Sequence, residues 1–403
     1  MTSDTKPMIL PITEIEQAAF CQTDDDLQAK TLEEEFQAGV RWQKIPIEYL
    51  KCSPEDLESR ISDSKEALGE NVLILGHHYQ REEVIKFADL RGDSFKLSQF
   101  AATQNKAEHI VFCGVHFMAE TADVLSGPHQ KVILPNITAG CSMADMASTD
   151  DVLDCWEELE SVLSSVGGVI PITYMNSTAA IKALCGRNGG IVCTSSNASA
   201  SFEWAFKRGQ RVLFLPDQHL GRNTAHKLGI GNDEMLVWNP YKYLGGHTEQ
   251  ALRDAKVILW QGHCSVHTRF STSQIEDARV KHPDVTVVVH PECTRDVVEL
   301  ADLNGSTEYI IKVVKEAPSD TTWAVGTEIS LVNRLSKENP DKTIFCLDSV
   351  VCPCSTMYRI HPAYLAWVLD GLKEGVVVNQ VKVDDKTSIE AQVALDRMLS
   401  LAG

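Results

Sequence analysis

Residues 72–80 read "VLILGHHYQ", an apolar run closed by a glycine and then by His77, His78, Tyr79 and Gln80. Short β-rich runs of this kind alternate with helical stretches along the chain, the pattern of an α/β protein with parallel sheets. A helix start precedes this run: Ser53-Pro54-Glu55-Asp56 sets a capping serine before a proline at the first helical position, with acid in the first turn. Along extended backbone, side chains two apart share a side, so His77 and Tyr79 aim into the same space.

The pattern recurs in three comparable sets. The first holds "VLILGHHYQ", "RGDSFKLSQF", "IVFCGVHFMAE" and "VILPNITAGCSMADM"; the second holds "VIPITYMNSTAA", "IVCTSSNASASF", "VLFLPDQHLGRNTA" and "VILWQGHCSVH". The third holds "VTVVVHPECTRDVV", "NGSTEYIIKVV", "WAVGTEISLVNRL" and "TIFCLDSVVCPCSTM". Each opens on a strand with a polar end, passes a serine-bearing turn at Ser94, Ser195 or Ser306, and closes on a strand leading to a cysteine. His77 and Cys141 are 64 positions apart, as are His290 and Cys354; Tyr174 and Cys264 are 90 apart, and "CGRNGG" (185–190) reads as a loop inserted into that unit. Self-similarity at fixed spacing is the signature of duplicated units. The expected division is an acidic extension over 1–45, αβα domains over 46–150, 151–271 and 272–358, and a C-terminal helical segment over 359–403.

The composition sets limits. At 403 residues the chain is too long for one compact core. A net charge of −19 opposes nucleic acid or an anionic membrane as a partner. The opening "MTSDTKPMIL" lacks the basic and apolar regions of a secretory signal, and no apolar stretch approaches the roughly 20 residues that span a bilayer. A cytoplasmic location is expected. There, the 12 cysteines should be thiols, ligands or catalytic groups rather than disulfides, with Cys113 and Cys193 serving as small hydrophobes within strands.

In parallel α/β sheets, ligands bind beyond the carboxyl ends of the strands. Three units facing one axis would bring Cys141, Cys264 and Cys354 into one cavity. Three dispersed thiols without a CxxC pair suit a cubane iron–sulfur cluster with one iron left open as a Lewis acid. A three-cysteine zinc site competes with that reading. Cys352 would be an accessory thiol. The serine turns open apparent helices, whose N-termini suit phosphate or carboxylate, although any one of these serines alone is more simply a helix cap. Tyr174 pairs with Asn176, and His290 with Glu292, as His77 does with Tyr79. The His290–Glu292 pair is the best candidate for general acid–base work.

Together "GHHYQ", "ADLRGDS", "FCGVHFMAETADVL", "LPNITAGCSMADM", "TYMNSTAAIKA", "CTSSNA", "FLPDQHLGRN", "HPEC", "ADLNGSTEYI", "GTE" and "CSTM" resemble the quinolinate synthase family over roughly residues 45–360. The resemblance implies three pseudo-symmetric αβα domains with short parallel sheets around a [4Fe-4S] cluster. It implies condensation of iminoaspartate with dihydroxyacetone phosphate to quinolinate, with loss of phosphate and water, in de novo NAD biosynthesis. An L-aspartate-oxidising enzyme would supply the imine. By the same resemblance the cluster ligands are Cys141, Cys264 and Cys354, with Met357 beside the cluster. Tyr79, His290 and Glu292 would be catalytic, and His77, Ser94, Tyr174, Asn176, Ser195, Ser196, Ser306 and Thr307 would bind substrate. One departure is the C-P-C-S-T-M run at the third ligand, where some members carry C-x-x-C-x-x-C. A cluster-dependent hydro-lyase on another hydroxy acid is the enzymatic alternative. A cluster-bearing sensor would want a basic surface that the net charge opposes.

Overall fold

The structure, a computed structural model, describes residues 12–22, 29–164 and 168–401. The opening "MTSDTKPMIL" and the acidic run at 23–28 lie outside the described residues. The chain is α/β, with three short sheets flanked by helices. Strands β1 (Val72–His77), β2 (Leu90–Gly92), β3 (His109–Cys113) and β4 (Lys131–Ile133) belong to the first sheet. The second contains β5 (Ile170–Tyr174), β6 (Ile191–Cys193), β7 (Val212–Leu215), β8 (Met235–Trp238) and β9 (Val257–Trp260). The third contains β10 (Thr286–Val289), β11 (Leu303–Asn304), β12 (Thr322–Gly326) and β13 (Thr343–Cys346). A last strand, β14 (Gln380–Val381), adds antiparallel to β4; every other pairing is parallel.

The sheets share an internal order. In each, the opening strand lies between the second and third strands of its set, giving β4-β3-β1-β2, β9-β7-β5-β6 and β13-β12-β10-β11. All six residues of β1 are buried, which explains why the deciding run is apolar throughout rather than alternating: helices cover both faces of a parallel sheet. The helix after Ser53 spans Pro54–Leu68, and the Ser53 hydroxyl accepts the Asp56 N–H as its cap.

Two expectations need correction. "CGRNGG" is not an inserted loop. It is the end of helix Ala179–Arg187 and the turn into β6. The second unit is longer because β8 and the short helix Glu249–Asp254 lie between β7 and β9. Gly186 gives that run a role: a side chain there would meet the Glu390 carbonyl, so glycine lets the terminal helix Asp385–Ser400 pack close. Arg397 secures the contact by donating to the Gly190 carbonyl at 2.6 Å. The second correction concerns the cysteines. Cys21 and Cys352 are joined as a disulfide, with Cα atoms 4.1 Å apart, although no disulfide was expected. Cys113 and Cys193 are buried strand residues, as read from the sequence.

No helix among the described residues is long and apolar enough to cross a membrane.

Candidate active site

The carboxyl ends of β1, β5 and β10 deliver His77, Tyr174 and, one residue on, His290 to one cavity. Two of these ends share a local device. The Tyr79 N–H donates to His77 Nδ1 at 3.1 Å, and the Glu292 N–H donates to His290 Nδ1 at 3.4 Å. A ring that accepts at Nδ1 carries its proton on Nε2. Burial drives both histidines down to about 3, so both are neutral near pH 7 with Nε2–H free to donate.

Glu292 is nearly inaccessible and touches two groups. Tyr174 donates its hydroxyl to Oε1 at 2.6 Å, and His267 Nδ1 lies 2.8 Å from Oε2. Burial opposes charge on this carboxyl. Contact with His267, then His290, and the two hydrogen bonds nevertheless carry its pKa below the ordinary range. Because His290 is neutral, the carboxylate rests chiefly on His267 and Tyr174. Burial, reinforced by Glu292, holds the Tyr79 and Tyr174 phenols well above their usual range, so both remain protonated donors.

These groups form one continuous relay. With Glu292 ionised, His267 donates to it from Nδ1, and the other ring nitrogen, Nε2, lies 3.1 Å from Thr327 Oγ1. The Thr327 oxygen in turn lies 2.9 Å from the Tyr79 hydroxyl, which lies 3.0 Å from Thr307 Oγ1. The path runs from Tyr174 to Thr307 through residues of all three sheets' loops. His267 also stacks on His290, with ring centroids 4.4 Å apart.

The cavity lining brings together most of the residues singled out in the sequence: His77, Tyr79, Ser94, Cys141, Tyr174, Asn176, Ser195, Cys264, His290, Glu292, Thr307, Cys354 and Met357. Ser196 and Ser306 stand off it. Ser196 pairs with Thr194 at 2.8 Å, and Ser306 caps helix Thr307–Glu316 by accepting the Tyr309 N–H. Helices Ser94–Thr103, Ala198–Phe206 and Thr307–Glu316 begin at or just beyond Ser94, Ser195 and Thr307, so positive helix ends face the cavity. Asn176 Oδ1 is buried with no partner among the described residues, leaving an acceptor aimed at whatever the cavity holds.

The three thiols are half-buried and line this cavity, and Cys141 borders a second one as well. Burial raises all three above the ordinary thiol range, and the nearness of Cys354 adds to the effect at Cys141 and Cys264. A bound cation reverses that preference and takes thiolates as ligands, so the donor set fits a metal group. One donor atom each from Cys264, His267 and Glu292 also lie within 4.8 Å of one another, a grouping compatible with a metal cofactor. His267 and Glu292 are, however, already hydrogen-bonded to each other.

Sequence reasoning passed over His267 and Thr327. The signal for Thr327 was the "GTE" motif, quoted without a role. His267 lies three residues past Cys264, where the other two units carry Ala144 and Met357, so repetition could not flag it.

A family model described as "Quinolinate synthetase A protein" matches residues 59–400. The chain is 59% identical over 361 residues to a quinolinate synthase of Corynebacterium glutamicum, covering 90% of this chain and 91% of that protein. It is 56% identical over 357 residues to a quinolinate synthase of Acidobacterium capsulatum, covering 88% and 95%. A quinolinate synthase of a Nocardioides strain is 53% identical over 367 residues, with 89% and 93% covered.

Proposed function

Because the chain belongs to the quinolinate synthetase A family, the enzymes of NAD biosynthesis that its relatives are named for, we propose that it condenses iminoaspartate with dihydroxyacetone phosphate. The products are quinolinate, phosphate and water, and a [4Fe-4S] cluster is held by Cys141, Cys264 and Cys354. The observation that carries this reading is that these thiols, from three distant segments, line the same cavity as Tyr79, Tyr174, His290 and Glu292. A cluster held by three thiolates supplies an open iron that acts as a Lewis acid toward a hydroxyl or carbonyl.

The remaining work falls to the chain. The helix starts at or just beyond Ser94, Ser195 and Thr307 supply three anion sites for one phosphate and two carboxylates. Neutral His77 and His290 donate from Nε2 and orient polar groups without adding positive charge. Glu292 is the base: it accepts a substrate proton during tautomerisation while the Nδ1–H of His267 holds its Oε2 in place. The Tyr79 hydroxyl, kept protonated by burial and held between Thr307 and Thr327, donates a hydrogen bond to the departing hydroxyl as water is lost. Asn176 Oδ1 accepts a hydroxyl or imine N–H of the substrate.

The domain division is 46–150, 151–271 and 272–358, pseudo-symmetric αβα units around the cavity, a reading supported by the strand order that the three sheets share. The enzyme works in the cytoplasm, fed by an L-aspartate-oxidising enzyme.

The test uses chain purified without oxygen and loaded with iron and sulfide. An L-aspartate oxidase generates the imine in the cuvette, dihydroxyacetone phosphate is added, and quinolinate is quantified by chromatography. Quinolinate that depends on both substrates is expected. Fully loaded protein that forms none would overturn the reading.

A further inference from the structure

Residues 13–22 precede the part of the chain that the family model matches, 59–400, yet Thr13 and Gln17 are buried against the loops that carry the three thiols. Gln17 is 7% exposed and makes four contacts. Its Nε2 donates to the Pro353 carbonyl at 3.1 Å, and its Oε1 accepts from Ser265 Oγ at 3.2 Å, Ser355 N at 3.4 Å and Ser355 Oγ at 3.3 Å. Ser265 and Ser355 each directly follow a thiol, Cys264 and Cys354. The third thiol has the same neighbour: Ser142, after Cys141, lies 3.2 Å from Ser265. One side-chain amide therefore ties together the backbone just behind two thiols and, through Ser265, reaches the third.

The rest of the segment is fixed on both sides of Gln17. Thr13 donates to Asp145 at 2.7 Å, Glu14 meets His263 at 3.2 Å, and Glu16 pairs with the wholly buried Arg359. Gln22 exchanges two backbone hydrogen bonds with Val351, next to the Cys21–Cys352 tether. Docking by an apolar stripe alone would show only that the extension needs cover. The four hydrogen bonds of the buried Gln17 side chain to residues adjoining two thiols specify one geometry instead. The Thr13–Asp145 bond also lies on the wall of a second cavity that reaches Cys141 from outside the active site.

We infer that residues 13–22 cap the outer side of the metal site, and that Gln17 is its positioning residue. Gln17 holds the Cys264 and Cys354 loops in the geometry that binds the metal and limits the access of oxygen and chelators. This rests on the reading of Cys141, Cys264 and Cys354 as ligands. The segment does not line the active-site cavity, so its role is to retain the metal group rather than to turn over substrate.

The test compares wild type with Gln17→Met, which fills similar space without the hydrogen bonds, and Thr13→Val, which loosens the other end of the cap. Ile15→Ala, at a position 67% exposed, is the control. In iron- and sulfide-loaded protein, the visible absorbance of the cluster is followed after addition of air or EDTA. In cluster-free protein, iodoacetamide labelling of Cys141, Cys264 and Cys354 is measured peptide by peptide against buried Cys113. Gln17→Met should lose absorbance about tenfold faster, the change that roughly 1.4 kcal/mol of lost hydrogen bonding gives, and should label faster at Cys264 and Cys354. Thr13→Val should label faster at Cys141, and Ile15→Ala should match wild type. Wild-type lifetimes and labelling in both Gln17→Met and Thr13→Val overturn the cap while leaving the metal site intact. Wild-type protein that takes up neither iron nor sulfide overturns the metal site and the cap with it.

Discussion

Tyr174 and Glu292, 118 positions apart in the chain, meet in a hydrogen bond of 2.6 Å between phenol and carboxylate. The bond joins the end of β5 to the loop after β10, so the second and third sheets each supply one partner of it. Burial opposes charge on the Glu292 carboxyl, but His267, then His290, and last the Tyr174 hydrogen bond carry its pKa below the ordinary range.

Glu292→Gln keeps the shape of that centre and removes its charge. Turnover should fall by about 10²–10⁴, the usual scale for loss of a general acid or base, with iron content unchanged. Turnover at the wild-type rate would remove Glu292 from the mechanism.

Thr327→Val cuts the relay between His267 Nε2 and the Tyr79 hydroxyl with little change in volume. We expect kcat to fall roughly tenfold to a hundredfold, less than for loss of the base itself, with KM for both substrates nearly unchanged. A higher KM at constant kcat would make Thr327 a binding residue instead.

Acid should destabilise the fold through its buried histidines. Burial depresses His77 and His290 to about 3 and His361 to about 4, from an ordinary 6.5. Between those values the unfolded chain binds more protons than the folded one, so stability rises with pH; the contribution is complete above 6.5 and is lost on acidification. Each group can remove up to about 2 kcal/mol between pH 6.5 and 5. The melting temperature should therefore drop from pH 7.5 to 5. His361→Asn, which still caps the helix beginning at Pro362, should flatten that slope, and an unchanged slope would exclude His361 as a contributor.

Gly186→Ala forces the terminal helix away from helix Ala179–Arg187. Overpacking of this kind costs about 1–3 kcal/mol and should lower the melting temperature by several degrees, which calorimetry would detect. An unchanged melting temperature would show that the two helices part without penalty.

The sheets were legible because buried parallel strands must be short apolar runs, and each of the three sets ends in polar residues where strands meet a cavity. Equal spacing from His77 to Cys141 and from His290 to Cys354 reflects a strand order that the first and third sheets share. What escaped is tertiary. Gly186 looks like loop punctuation, yet it serves a helix contact with Glu390, which is distant in sequence. β8, "MLVW", has no counterpart in the other sets, so comparison among them passed over it. His267 stands alone at its repeat position, and its value comes from Glu292 and Thr327. The polar N-terminal residues Glu16 and Gln17 read only as part of the acidic extension, because nothing in their own neighbourhood announces that Arg359, Ser265 and Ser355 wait for them.

The most direct test of the account is iron and acid-labile sulfide per chain in protein purified without oxygen, for wild type, Cys354→Ala and Cys352→Ala. The account predicts about four of each in wild type, retained in Cys352→Ala, whose sulfur is engaged with Cys21, and lost in Cys354→Ala. Loss in Cys352→Ala with retention in Cys354→Ala, or zinc in place of iron and sulfide, would contradict it.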